Sequence, residues 1–351
     1  LIVDEAHNAI DMLVSMKKRT FTSDEGLPQG LGAIGDLLLW VEEEAKKYAD
    51  LLDVTTDPIK RKKIQSKYDK YNDVSRNDHM YHFQRVVTPS GERMIATPND
   101  ASGHTHRIWS TKKAQKIILM SGTIGPKDIK KLGLADRRVR FIDGESPIPA
   151  ESRQVIYHNV IKVNYQNKER AIRVMAPTIQ KIADNYKDHK GIIHIPYSLV
   201  PIFKKNFTDE RFMFHNKNNK GKVYDKFLSA SEPVILFACG MAEGIDLKYE
   251  AARWQIIPKI NWPNLGDAYN KRAAEKDPDW YVWEAVRKLI QQCGRVCRAP
   301  DDWGVTFILD GTFEQCLLHK YSHHFPKYFS QGFMKTTDKV IPLPPVKVHS
   351  K

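Results

Sequence analysis

The sequence predicts an α/β protein: two parallel-sheet domains, the first one incomplete and interrupted by a mainly helical insertion. Three observations predict it. Short apolar runs that read as buried strands recur along the 351 residues, a length that accommodates two domains of ordinary size. Several of these runs break into acidic, hydroxylated or glycine residues, and open α/β sheets gather their ligands at the carboxyl ends of strands. Between the runs lie stretches with the 3.6-residue period of a helix.

Composition narrows the partners. Lysine and arginine number 55 against 42 aspartates and glutamates, and this surplus of 13 positive charges favours polyanions, nucleic acid first. No apolar run is long enough to span a bilayer, and there is no signal-peptide pattern. Cys239, Cys293, Cys297 and Cys316 show no CxxC pairing and read as reduced core thiols of an intracellular protein. The chain opens on Leu1, inside an apolar run, and is expected to be a fragment whose N-terminus lies upstream.

In chain order, Leu1-Ile2-Val3 reads as a buried strand that ends in Asp4-Glu5-Ala6-His7-Asn8. One carboxylate there can hold Mg²⁺ through its water shell, and the next can orient or deprotonate a water; a capped helix start is the plainer alternative. Residues 11–92 read as an insertion. Leu31 to Leu52 has a helical period, and Asp57-Pro58 starts a second helix carrying Lys60, Arg61, Lys62 and Lys63, with Tyr68 and Tyr71 among its basic residues. Lysines interleaved with aromatics suit a nucleic-acid channel, and equally a solvated helix face. Tyr81 to Val87 and Arg93 to Ala96, around Pro89-Ser90-Gly91, read as a hairpin. Gly30-Leu31-Gly32-Ala33-Ile34-Gly35 matches a dinucleotide fingerprint but follows turn formers rather than a strand, so a loose helix start accounts for it better.

Lys116 to Met120 reads as a second buried strand, ending in Ser121-Gly122-Thr123. Glu145 to Pro149 is linker-like. Beyond it come a helix around Ala171 to Tyr186, the strand Gly191 to Ile195, and the strand Pro233 to Ala238 running into Gly240-Met241-Ala242-Glu243-Gly244-Ile245-Asp246. Glycines interleaved with acids at a strand end suit close approach of backbone amides to a ligand. Asp277-Pro278 starts a helix whose apolar stripe is Trp283, Val286, Ile290, Cys293 and Cys297. Continued to Arg298, that helix sets Gln291, Gly294, Arg295 and Arg298 on the adjoining stripe, two guanidiniums one turn apart and suited to planar oxyanions. Gly304 to Asp310 is a further buried strand, and the tail from Lys335 reads as irregular.

Strand–DEAHN, strand–SGT, strand–GxxEGID and QxxGRxxR stand in that order, and their joint order and spacing resemble the superfamily 2 helicases of the XPD/DinG group. The resemblance covers nearly the whole chain. It implies two RecA-like motor domains closing on ATP with single-stranded or forked DNA as partner, and 5′→3′ movement. The first domain corresponds to residues 1–10 plus 93–143, residues 11–92 to a short arch-like insertion, 144–334 to the second domain and 335–351 to a tail. By the same resemblance Asp4 holds Mg²⁺, Glu5 acts on the attacking water, and His7 meets Gln291. Arg295 and Arg298 reach the γ-phosphate, Glu243, Gly244 and Asp246 couple nucleotide state to the strand, and Ser121 and Thr123 transmit it. Two departures matter. No phosphate-binding loop is present: Gly221-Lys222 is followed by Val223 rather than Ser or Thr, so the chain is expected to be inactive alone. The iron–sulfur cysteines of many members lie upstream of the DEAH box, so such a cluster is expected, if anywhere, outside this chain.

Overall fold

A computed structural model describes residues 1–89, 91–100, 102–105, 108–109, 115–241, 244–337 and 340–343. The chain divides into two compact units, Leu1–Phe141 with Asn264–Tyr281, and Ile142–Pro263 with Val282–Lys351.

In the first unit, β1 (Ile2–Val3) leads through a 3₁₀ turn into α1 (Ala9–Lys17) and β2 (Arg19–Thr22). The insertion continues with α2 (Ile34–Val54) and α3 (Pro58–Arg76), followed by the hairpin β3 (Tyr81–Thr88) and β4 (Gly91–Pro98). α3 begins where the Asp57-Pro58 signal puts it: Asp57 Oδ1 accepts from the Ile59 and Lys60 amides at 2.8 and 2.9 Å, satisfying donors that a helix start leaves unpaired. α2 buries Leu37, Trp40, Val41 and Ala45, one face at three- and four-residue spacing. That face meets Tyr71 and Val74 of α3 together with Phe21, Met94 and Ala96 from the sheet. Phe21, Trp40 and Tyr71 lie with ring centroids 5.4–5.7 Å apart, contacts worth about 0.5–1.5 kcal/mol each beyond their burial. The insertion is thus a helical hairpin on an antiparallel sheet of order β2-β4-β3. Residues 93–98, read from the sequence with the first motor domain, are paired within that sheet.

β5 (Ile118–Leu119) pairs in parallel with β1, Ile2 opposite Ile118 and Val3 opposite Leu119. α4 (Pro126–Lys131) follows. The expectation of two buried strands is corrected here. Alternate residues point to opposite faces: Val3 and Leu119 pack on a cluster with Ile10, Leu13 and Trp109. Ile2 and Ile118 remain exposed on the other face, which no described element of this unit covers.

The second unit holds a seven-stranded, wholly parallel sheet of order β12-β6-β11-β10-β7-β9-β8. Its elements in sequence are β6 (Val155–Ile161), α5 (Lys168–Asn185), β7 (Gly191–Ile195), α6 (Val200–Asn206), β8 (Phe212–Met213), α7 (Lys220–Ser229), β9 (Ile235–Cys239) and β10 (Trp254–Ile257). α8 (Ala268–Lys276) lies in the first unit, α9 (Pro278–Cys293) returns the chain to the second, and β11 (Val305–Asp310) and β12 (Phe333–Lys335) close the sheet. Every residue of β7, β9, β10 and β11 is buried, as apolar runs covered on both faces require. Ile172, Met175, Ile179 and Ile182 of α5 pack on Ile193, Phe237 and Phe307. Gly191 is obligatory: a Cβ there would lie 2.1 Å from the Trp254 ring. Ile341, within the stretch read as irregular, packs into this core.

Candidate functional site

The first group of functional residues sits at the carboxyl ends of β1 and β5, brought side by side by their parallel pairing. Asp4 and Glu5 are exposed, and Glu5 takes a left-handed backbone (φ 48°), uncommon for a residue with a Cβ. Asp4 Oδ1 accepts the Glu5 amide at 2.9 Å. His7 is buried, with Nδ1 3.2 Å from Glu5 Oε2 and 2.8 Å from Ser121 Oγ. Ser121 Oγ also accepts the Thr123 amide at 3.0 Å and lies 3.4 Å from Thr123 Oγ1. His7, beside the acidic pair, and Ser121 of the SGT turn, 114 residues apart in sequence, are therefore hydrogen-bonded, with Glu5 also against His7 Nδ1 and Thr123 against Ser121 Oγ.

The second group belongs to the other unit, and here the sequence reading needs correction. α9 ends at Cys293, so Gly294, Arg295 and Arg298 are not a helical stripe. The Gly294 amide closes the last turn on Ile290 O at 3.0 Å and the Arg295 amide reaches Gln292 O at 3.3 Å. Val296 then bridges Leu247, and Cys297 takes φ 61°. Glycine just past the last periodic residue is a helix stop signal, and it was available in the sequence.

What replaces the helix is a turn clamped onto the strand β9 exit. Arg295 Nε donates to Gln291 O at 2.9 Å and Nη1 to Ile245 O at 3.2 Å. Arg298 Nε pairs with Asp246 Oδ1 at 3.0 Å, and its Nη1 donates to Gly294 O at 2.9 Å. Arg298 Nη2 has no partner among the described residues. Gln291 is buried, whereas Arg298 and Asp246 are exposed. Gly240 (φ 59°) and Gly244 (φ 77°) give the β9 exit its path, and Lys220 Nζ donates to Gly240 O at 2.7 Å. Glu243 lies outside the described residues.

Sequence reasoning assigned no role to the residues that hold this turn. Asp302 is buried: Oδ2 accepts the Arg298 amide at 3.0 Å and the Tyr249 amide at 3.1 Å, while Oδ1 accepts Arg253 Nη1 at 2.6 Å and the Trp303 amide at 2.8 Å. Beneath the end of α9, Gln255 joins three elements. Its Nε2 donates to Cys293 O (2.7 Å) and Thr306 Oγ1 (2.8 Å), and its Oε1 lies 2.9 Å from His194 Nε2. Burial pushes His194 down to about 4, outweighing the Gln255 hydrogen bond. The cysteines are reduced; burial raises the thiols of Cys239 to about 11 and of Cys297 to about 12, and raises Cys293 as well.

The basic cluster of the insertion is divided by the fold. Lys60, Arg61, Lys62 and Lys63 are all exposed, and the Arg61 side chain alone of them donates to backbone among the described residues, through Nη1 to Leu52 O and to Thr55 O at the end of α2.

Comparison with known proteins agrees with this architecture. Residues 171–332 match the model of the helicase C-terminal domain. The chain is 22% identical over 293 residues to a probable ATP-dependent helicase of Methanocaldococcus jannaschii, covering 75% of this chain and 44% of that protein. It is 23% identical over 374 residues to the regulator of telomere elongation helicase 1 homolog of Caenorhabditis briggsae, covering 88% and 35%. The chain thus spans less than half the length of these curated relatives. Two solved XPD structures, one an apo form, share its fold with TM-scores of 0.58 and 0.55 at 18% and 15% identity. They cover 95% and 96% of this chain, which spans 76% and 68% of theirs. The XPD-like resemblance read from the motifs therefore holds, and with it the α/β, parallel-sheet fold class. Among the described residues no helix is long and apolar enough to cross a membrane.

Proposed function

We propose that this chain, whose residues 171–332 match the helicase C-terminal domain and whose fold is similar to XPD, carries the hydrolytic and coupling parts of an ATP-dependent DNA helicase or translocase acting on single-stranded or forked DNA. The observation that carries this reading is Arg298: its Nε and Nη1 are fixed by Asp246 and Gly294, and Nη2 is left over. A guanidinium pinned by two of its nitrogens is aligned in advance for charge that develops on a transferring phosphoryl group. Arg295, clamped to Gln291 and Ile245 carbonyls, aligns the same turn.

In the other unit, Glu5 is the candidate to orient or deprotonate the attacking water, with His7 holding its carboxylate in place. Asp4 suits Mg²⁺: it is exposed, and only Oδ1 is engaged, by the Glu5 amide. Mg²⁺ bound there through its water shell would supply the neutralising charge that a polyphosphate needs. The contacts among Glu5, His7, Ser121 and Thr123 are the proposed route from this acidic pair to the SGT turn, and Asp246, paired with Arg298, is the proposed link from the arginine turn to Gly244 and Glu243. Movement 5′→3′ is carried over from the family resemblance.

The 351 residues hold no Gly-x-x-x-x-Gly-Lys-Ser/Thr, so the chain on its own should not hydrolyse ATP with single-stranded DNA present. Joined to such a phosphate-binding loop, it should turn over, and Arg298→Ala should lower single-turnover hydrolysis by about 10³-fold or more with little change in nucleotide affinity. Near-wild-type hydrolysis by a stably folded Arg298→Ala protein would remove the centre of this reading.

A further inference from the structure

The insertion carries a surface cavity of about 720 Å³ between β2 with its lead-in and one face of α3. Four cations line it, Lys18, Arg19, Lys62 and Lys70, with one acid, Asp69, and no apolar side chain. The α3 residues, Lys62, Gln65, Ser66, Asp69 and Lys70, recur at three- and four-residue spacing and so share one helix face.

The cations fall into two pairs with different physics. Arg19 and Lys70 are pinned: Arg19 Nη2 reaches Asp73 at 3.2 Å and Nη1 the Met16 carbonyl at 2.7 Å, and Lys70 Nζ meets both Glu25 oxygens at 2.7 and 2.8 Å. Arg19 Nε is nonetheless buried without a hydrogen-bond partner among the described residues. Lys18 and Lys62 are exposed and have no ion-pair partner among the described residues. The site therefore combines a fixed polar wall, the hydroxyls of Thr20 and Ser66, and two exposed lysines with no ion-pair partner among the described residues. Apolar surface in the lining comes only from the stems and backbone of these polar residues, with no aliphatic or aromatic side chain for a lipid tail or a stacked base. The volume is that of a site for a drug-sized ligand, more than one phosphate fills.

We propose that this cavity binds the phosphodiester backbone of a single-stranded nucleic acid, Lys18 and Lys62 each neutralising one phosphate. This rests on the reading of the chain as part of a nucleic-acid motor and moves the contact from the linear run Lys60–Lys63 to one face of α3 and the start of β2.

The test is a fluorescence-anisotropy titration of the intact chain with a labelled oligothymidylate over a range of salt concentrations. Lys18→Gln/Lys62→Gln would be compared with Lys60→Gln/Lys63→Gln, which removes the same charge from α3 outside the cavity; thermal melts would confirm that both variants fold. The cavity variant should bind more weakly, with a log–log salt slope shallower by about 1.4, two strand phosphates at about 0.7 each, while the control moves less. Equal slopes in the two variants, with wild type binding normally, would overturn the cavity and leave the motor reading standing. Displacement of the strand from wild type by millimolar inorganic phosphate at constant ionic strength would also overturn it, since the site would then serve free phosphate. No binding by wild type would overturn the motor reading and the cavity with it.

Discussion

Asp302 is the residue whose loss should be felt most at the arginine turn. Asp302→Ala removes four hydrogen bonds at once: to the Arg298, Tyr249 and Trp303 amides and to Arg253 Nη1. It also strips a buried guanidinium of its buried partner, the Arg253 and Asp302 side chains being 6% and 0% exposed. Removing one member of a buried pair costs about 3–5 kcal/mol, because the remaining charge stays desolvated. Arg253 keeps two contacts to Glu250 Oε1, at 2.7 and 3.3 Å, and stacks 4.9 Å from Trp303, so the lower end, about 3 kcal/mol, applies. For a domain of roughly 150–250 residues that is a fall of about 6–12 °C in melting temperature. The assay is thermal and urea unfolding of wild type, Asp302→Ala, Arg253→Met and the double variant. If the stranded charge is the main cost, the double variant should be less destabilised than the sum of the singles by 1 kcal/mol or more. A loss below about 1 kcal/mol in Asp302→Ala, or strict additivity, would refute the account of how this turn is held.

His194 offers a pH test. Its folded value of about 4 lies below the ordinary 6.5, so the unfolded chain binds the proton more readily and stability falls as pH drops from 6.5 to 4, by up to about 3 kcal/mol. Denaturant midpoints of His194→Asn followed over that window should be flatter than wild type; parallel curves would show that another group titrates. Arg272 of α8 has Nε, Nη1 and Nη2 all buried without hydrogen-bond partners among the described residues, and burial lowers its pKa. Arg272→Met should therefore raise stability by about 1 kcal/mol or more, read from urea unfolding, since it removes unsatisfied donors and keeps the apolar stem; a lower midpoint would mean that the guanidinium is paired in solution.

Much of the fold was legible because it follows from local chemistry. Asp57-Pro58 announces α3 through a cap and a preset φ, and Asp277-Pro278 announces α9 by the same rule. Gly191 to Ile195 is a strand because a run this rich in isoleucine, with His194 its one polar side chain, is satisfied when covered on both faces. The motif order, too, is linear information, and it pointed to the XPD-like group before any packing was known.

What the linear sequence could not decide is where local preference loses to tertiary contact. The helical period of α9 continues on paper to Cys297 and Arg298, and although Gly294 signals a stop, it does not say where the chain goes next. The Val296–Leu247 bridge and the four bonds to Asp302 outweigh the few tenths of a kcal/mol by which one more helical residue would be preferred. Arg61, set in one basic run with Lys60 and Lys62, is exposed as they are, but its Nη1 is engaged by carbonyls at the end of α2. Likewise His7 and Ser121 meet only because β1 and β5 pair in parallel, across 114 residues that carry no sign of that contact. The sequence by itself determined the elements and the family of chemistry. Only the tertiary structure decided which of the charged groups are spent on holding the fold, because that depends on which carbonyls and carboxylates the packing brings within hydrogen-bond reach.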